Sequence, residues 1–337
     1  MEYVATCTPI YLNLNPASSL RDKVQKLPAE IKCCIMVVTR MKDSFQKGQS
    51  IGFLFVLPAL LFMAVFIGYP IIYNLILSFQ DVSVMTFNNP VKEWNGFRNY
   101  IQLMADPVLK TTVINTLYYT VACIIFQFTI GFALAIFFNK SFRLAKGIRG
   151  LMMVAWLMPI TITGLIFKFI FSTNGGIINE FLVGAHLLRQ PIEWLLQPVT
   201  ALWALIITNI WIGIPFNMIL LITGLSTIPQ DVYESASIDG ANKRQQFIHI
   251  TVPLLQPAIQ SVLILGFIYT FKVFDLVYVM TKGGPVNATE VLSTFSYRLS
   301  FTEFSFSKGA AVANILFIIL FIVSLGYLRT IKEEETM

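Results

Sequence analysis

Six stretches of this chain are apolar over lengths that cross a lipid bilayer. They run over residues 51–79, 111–139, 150–171, 198–225, 257–281 and 309–328. A helical crossing takes about 20 such residues. The first two and the last hold no charged residue, the third holds Lys168, and the fifth holds Lys272 and Asp275. Alternation with a period of two is absent, and each stretch is too long for a barrel strand, so the segments read as helices. Composition agrees. Hydrophobic residues make up 56% of the 337 and charged residues 12%. Soluble domains carry about 25% charge. Mean hydropathy is +0.70. The expected fold class is an all-α integral membrane protein with six transmembrane helices and a cytoplasmic loop between helices four and five.

Several classes are excluded. Cys7, Cys33, Cys34 and Cys123 are too scattered for a disulfide scaffold. His186 and His249 lie too far apart for a metal site, so no metal is expected. There is no G-x-x-x-x-G-K-[ST] loop and no nucleophile–base pairing, so no catalytic residue and no ATP site are assigned. The net charge of +6 is modest. It follows the loops rather than a nucleic-acid surface.

Lys and Arg set the orientation. With the N-terminus inside, inside segments hold fifteen basic residues and outside loops seven. That bias puts both termini in the cytoplasm. Residues 1–50 read as a cytoplasmic extension, 51–330 as the membrane domain and 331–337 as a tail. Within the extension, 1–40 read either as disordered chain or as an early start before Met41; the alternative is a short amphipathic helix on the membrane surface. The outside loop from Gln80 to Lys110 carries Trp94, Phe97 and Tyr100, suited to an interfacial helix. Pro159, Pro215 and Pro257 each remove a helix hydrogen bond and are expected to bend their helices.

The most informative segment is Gln230 to Pro257, QDVYESASIDGANKRQQFIHITVPLLQP. Carboxylates at its start suit a helix N-terminus. Gly240 allows a sharp turn between two short helices. On physics alone, a docking surface and a solvated connector are both open.

The segment resembles the cytoplasmic loop motif of ABC-importer permeases, Glu-Ala-Ala, three residues, Gly, nine residues, Ile-x-Leu-Pro. Here it reads Glu234-Ser235-Ala236, Gly240 and Ile250-Thr251-Val252-Pro253, with Ser235 for Ala and Val252 for Leu. The maltose/lactose-type sugar permeases are similar over about residues 51–330, through Thr281-Lys-Gly-Gly-Pro285, Phe271-Lys-Val-Phe-Asp275, Leu157-Met-Pro159 and Gly175-Gly-Ile-Ile-Asn179. The resemblance implies a bacterial cytoplasmic-membrane importer. Its partners would be a second related permease, two ATP-binding subunits that hold ATP and Mg, and an extracytoplasmic sugar-binding protein. This chain itself would bind no cofactor, contact lipid and bind no nucleic acid.

It also implies residue roles. Glu234, Ser235, Ala236, Asp239, Gly240, Ala241, Ile250 and Pro253 would couple to the ATPase, with local helix capping as the alternative for the two carboxylates. Asn209, Gly213 and Phe216 in helix four, with Gly266, Tyr269, Thr270 and Val273 in helix five, would line the substrate path; ordinary helix packing is the alternative for each. The family is Asn-rich in helix five where this chain has Thr270 and Val273, which leaves the sugar open. Lys272 and Asp275, three apart, are expected to share a helix face and could pair, marking either a pathway or an outer boundary where both snorkel. Other readings remain. One is a permease for glycerol phosphate or a polyamine, which would want clustered cations or carboxylates. Another is a stand-alone secondary transporter or channel, which should show repeats or broken helices with ionisable residues.

Overall fold

The computed structural model describes residues 55–140 and 142–335. Residues 1–50, and every expectation placed on them, lie outside the described residues. The chain divides into two compact units, 1–71 and 72–337. The first helix, α1 (Phe55–Leu77), begins in one unit and ends in the other. Its first part is apolar and exposed; Phe55 is 81% exposed, and Phe62 packs on Phe66 at 4.6 Å.

The second unit is helical. α2 (Arg98–Ala105) precedes α3 (Pro107–Asn139). Asp106 caps α3 by accepting from the Val108 amide at 2.8 Å, and Pro107 takes the first turn, where its missing N–H costs nothing. α4 (Ala145–Leu157) and α5 (Ile160–Ile170) follow, then α6 (Ile177–Gly184) and α7 (Pro198–Ser226). The loop after α7 holds α8 (Gln230–Ile238) and α9 (Lys243–Leu254). α10 (Gln256–Phe271), α11 (Asp275–Met280), α12 (Leu292–Tyr297) and α13 (Phe306–Glu335) complete the chain. The described residues contain one isolated bridge, Gln80 with Trp94, and no strand.

Four helices are long and apolar enough to cross a membrane: α1, α3, α7 and α13. The count reaches six if two bent pairs each form one span. Two expected spans therefore need correction. The stretch 150–171 is no single helix, because α4 and α5 meet at 95° across Met158 and Pro159. Proline forces its predecessor out of the helical region, and Met158 is extended with ψ 139°. The stretch 257–281 stops at Phe271 and restarts at Asp275. Pro257 sits in the first turn of α10, which leaves α9 at 62°. Pro215 does not interrupt its helix; α7 continues through it as one element.

The core is built on α3 and α7. Where they cross, a β-carbon at Gly131 would lie 2.7 Å from Asn217 Cβ and 3.3 Å from the Ile214 carbonyl oxygen. Only hydrogen fits, so the backbones approach as small-residue membrane crossings do. About two to three turns from that contact, Tyr119 and Cys123 pack with Leu205, Ile206, Leu276 and Val277, all fully buried. Beside the crossing, Ala135, Met218, Leu221 and Leu255 form a second cluster. Two buried hydroxyls turn back on their own helices, Thr116 to the Thr112 carbonyl (2.7 Å) and Thr208 to that of Ala204 (2.8 Å).

The loop over residues 80–110 forms a short helix as expected, α2, with Trp94 and Phe97 just before it. Trp94, Phe97 and Tyr100 gather on Phe79 at 5.7, 5.2 and 5.5 Å. Asn99 Nδ2 fixes the turn by donating to the Ser78 and Gln80 carbonyls, both at 2.8 Å. Between α11 and α12, Glu290 is almost fully buried and pairs with Arg298 at 2.9 Å. Asn115 of α3 donates to the Asn287 and Glu290 carbonyls and ties this loop down. Burial holds the Glu290 carboxyl above the ordinary carboxylate range; Thr294 and Arg298 pull it partly back, and Glu303 adds to the rise.

Two outcomes are expected. Gly131→Leu should cost about 1–3 kcal/mol by overpacking, read as a lower melting temperature in detergent; an unchanged value would show that α3 and α7 do not meet there. Because folding raises the Glu290 pKa, its contribution is complete below the unfolded pKa and is lost as pH rises through the folded one. Hydrogen exchange in the 283–292 loop, corrected for intrinsic rate, should therefore quicken as pH rises through that window, and Glu290→Gln should flatten the dependence.

Candidate functional site

The two helix breaks open on the same space. A cavity of about 240 Å³ lies between α4, α5, α7 and α10, bordered by Trp156, Ile160 and the Lys272–Asp275 segment. Non-helical backbone at membrane depth is tolerated only where protein or a water-filled cavity satisfies it. The breaks at Pro159 and at residues 272–274 meet that condition.

α7 presents Asn209, Gly213 and Phe216 to the cavity, spaced four and three apart on one face. α10 presents Gly266, Tyr269 and Thr270, and Val273 follows its end. All seven residues singled out for a path thus border one cavity, together with Lys272 and Asp275. Gln127 of α3 completes the back wall and donates to the Asn209 carbonyl oxygen at 2.8 Å. A β-carbon at Gly213 would run into the Gln127 amide, so Gly213 is what admits that side chain. Asn209 Nδ2 is buried without a hydrogen-bond partner. A buried amide left unpaired costs about 1–3 kcal/mol.

The apolar part is an aromatic ladder. Trp156 stacks on Phe216 at 5.3 Å with ring planes 15° apart, and Phe216 meets Tyr269 edge-on at 6.2 Å. Lys272 Nζ stands 5.3 Å from the Tyr269 ring centre, a cation–π contact. Tyr269 is 59% exposed, so the ladder ends at an open side.

Lys272 and Asp275 do not share a helix face, contrary to expectation. α10 ends before Lys272 and α11 begins at Asp275, so three residues no longer mean one helical turn. The ion pairs among the described residues are those of Arg298 with Glu290 and Glu303. Lys168 is exposed in the last turn of α5 and borders a second cavity of about 510 Å³ with Ser172, Thr281 and Pro285.

The loop after α7 forms the expected two-helix turn. Glu234, Ser235 and Ala236 lie on α8, Asp239 follows it, and Gly240 turns the chain at φ +82°. The Ala241 amide closes the turn on the Ala236 carbonyl at 2.9 Å. Asn242 and Gln245 make a reciprocal cap on α9. Tyr233 bonds Thr251 at 2.9 Å and Gln246 bonds Ser237 at 2.9 Å, bracing one helix on the other. Ile250 lies in a π-helical turn and Pro253 is exposed beyond it. Asp239, Gly240, Ala241 and Ile250 share an open cavity of about 360 Å³ with Gln245 and His249. Ile238 is 87% exposed beside them.

Gln127 and Trp156 were not among the sequence-derived path residues. Gln127 had a signal, since a lone amide in the apolar middle of α3 needs a partner. Trp156 had none, because its place depends on the 95° bend.

The sequence matches the family of binding-protein-dependent transport system inner membrane components over residues 127–334. It is 32% identical to the sulfoquinovosyl glycerol transport system permease protein of Agrobacterium fabrum, across 82% of this chain and 89% of that one. It is 31% identical to the lactose transport system permease protein of Rhizobium radiobacter, across 89% and 99%. The fold is similar to a chain in the crystal structure of a bacterial ABC transporter that imports the acidic polysaccharide alginate, with TM-score 0.72, 22% identity, and 87% and 99% coverage. The chain belongs to the binding-protein-dependent inner membrane component family of ABC transporters. Broken helices, offered above as a mark of stand-alone transporters, therefore do not separate the two classes here.

In a protein whose other four tryptophans are replaced by Phe, Phe216→Ala should move Trp156 emission to longer wavelength as water reaches the opened ladder. Unchanged emission would mean that Trp156 does not lean on Phe216.

Proposed function

We propose that this family member is a permease subunit that moves a sugar, of di- or oligosaccharide size, inward across a bacterial cytoplasmic membrane. In this reading six spans place both termini in the cytoplasm. A second related permease completes the path, an extracytoplasmic binding protein delivers the sugar, and two ATPase subunits supply the energy. ATP and Mg belong to those subunits and not to this chain.

One observation carries the reading: an aromatic ladder and polar groups converge on a cavity opened by two helix breaks. A sugar ring offers an apolar face and a rim of hydroxyls. Trp156, Phe216 and Tyr269 suit the face. Asn209 and Thr270 suit the rim. The cavity, about 240 Å³, is smaller than the roughly 300–1,000 Å³ pockets that enclose drug-sized ligands. This chain then presents one wall of a site that its partner closes. The names of its relatives, for lactose and for sulfoquinovosyl glycerol, favour a glycoside.

The loop of α8 and α9 is assigned to the ATPase. Asp239 sits at the C-terminal end of α8, where the helix dipole disfavours a carboxylate, and Ile238 is exposed to water. Neither placement serves this chain alone, and both suit a partner with a basic and an apolar contact. Glu234 is exposed one turn back. Tyr233–Thr251 and Ser237–Gln246 make the loop a rigid lever between α7 and α10. ATP-driven closure would then move cavity walls through differential contacts with the two states.

Gly240→Val tests the coupling role. A β-branched residue at positive φ costs about 1–2 kcal/mol and should break the turn without touching the membrane helices. Uptake and sugar-stimulated ATP hydrolysis should fall at least about tenfold, the equivalent of roughly 1.4 kcal/mol, with membrane insertion unchanged. Normal transport would sink the assignment. Tyr269→Ala should alter sugar preference or rate while the complex still assembles; an unaltered profile would remove Tyr269 from the path.

A further inference from the structure

The cavity wall carries one cation and one carboxylate, and neither is in an ion pair among the described residues. Lys272 and Asp275 are both exposed and border the same cavity. Among the described residues the ion pairs involve Arg298 alone. Lys272 contacts the Tyr269 ring. Lys272 follows the end of α10 and Asp275 begins α11, so the two are not in one helical register. An ionisable group inside a membrane protein is costly and is retained where it does something. Here the two charges cancel in sum while each stays free to bond.

We infer that Lys272 and Asp275 are specificity-determining residues: a charge-balanced wall that selects uncharged sugars over acidic and basic ones. This rests on the sugar reading above. The ammonium offers three donors and the carboxylate accepts at two oxygens, a set that matches adjacent hydroxyls on a ring held against the aromatic ladder. A uronate would meet Asp275, and an amino sugar would meet Lys272. Each like-charge encounter at the edge of a low-dielectric site disfavours the wrong class. Lys272 also covers one face of Tyr269, so a ring that stacks there must draw the ammonium onto its own oxygens.

The test is equilibrium binding of labelled probes to the purified permease–ATPase complex in lipid discs, without the binding protein. The probes are neutral disaccharides (lactose, maltose, trehalose), the acidic cellobiouronic acid and the basic deacetylated chitobiose. The intact complex should prefer the neutral class. Asp275→Asn should shift the ratio of acidic to neutral binding upward at least about tenfold, and Lys272→Gln should shift the ratio of basic to neutral binding by a similar factor. Assembly is checked by size-exclusion chromatography and the subunit stoichiometry of each variant complex. Binding of sugars with the same ranking in all three proteins would overturn the inference, and would make the two residues snorkelling groups at a boundary. A preference of the intact complex for acidic or basic sugar would overturn it as well. No binding of any class by a fully assembled complex would overturn the sugar reading itself, and this inference with it.

Discussion

A peptide group inside hydrocarbon can bond only to protein, and the rest of this structure follows from that constraint. It makes every long apolar stretch helical and turns the buried hydroxyls of Thr116 and Thr208 back on carbonyls of their own helices. It also makes each interruption informative. α4 and α5 part at Pro159, and α10 and α11 part at residues 272–274. Both gaps border one cavity. Breaks that would be ruinous against lipid are tolerable where polar groups and water can reach them.

The close α3–α7 crossing fixes where that cavity lies. Gly131 lets the two backbones touch, and Gly213, on the same side of α7, admits Gln127. Gln127 donates its amide to the Asn209 carbonyl oxygen, and Asn209 Nδ2 is buried nearby without an acceptor. Packing thus creates a polar back wall in an apolar bundle. The aromatic ladder from Trp156 to Tyr269 supplies the opposite chemistry. Beyond α7, the braced turn at Gly240 leads straight back into α10, which holds the other half of the lining.

Much of this was legible in the sequence. Apolar length located the long helices, because hydrophobic burial is additive along a window. The turn at Gly240 was legible because glycine is the residue that accepts φ +82°. Asn209, Gly213 and Phe216 came from the family resemblance, and their spacing of four and three sets them on one helix face that borders the cavity. Pro159 marked the place of one bend but not its angle, and the stop at Phe271 was not legible. Summed apolarity is blind to direction, so the 95° bend and the stop at Phe271 left no trace in the hydropathy of their stretches. Pro159 and Pro215 show why proline alone does not decide: one ends a helix and the other sits inside α7. The presumed Lys272–Asp275 pair failed for the same reason, since helical spacing means nothing across a gap. Trp156 joined the site only because the bend carried it there.

The central claim is that this chain works as the membrane part of an ATP-driven sugar importer. The most direct measurement is purification from its native membrane in mild detergent, with mass spectrometry and a Mg-ATP hydrolysis assay on the product. The account predicts co-purification of an ATPase and a second, related permease, with hydrolysis stimulated by a sugar-loaded binding protein. Recovery of this chain alone, folded and without any associated ATPase, would contradict it.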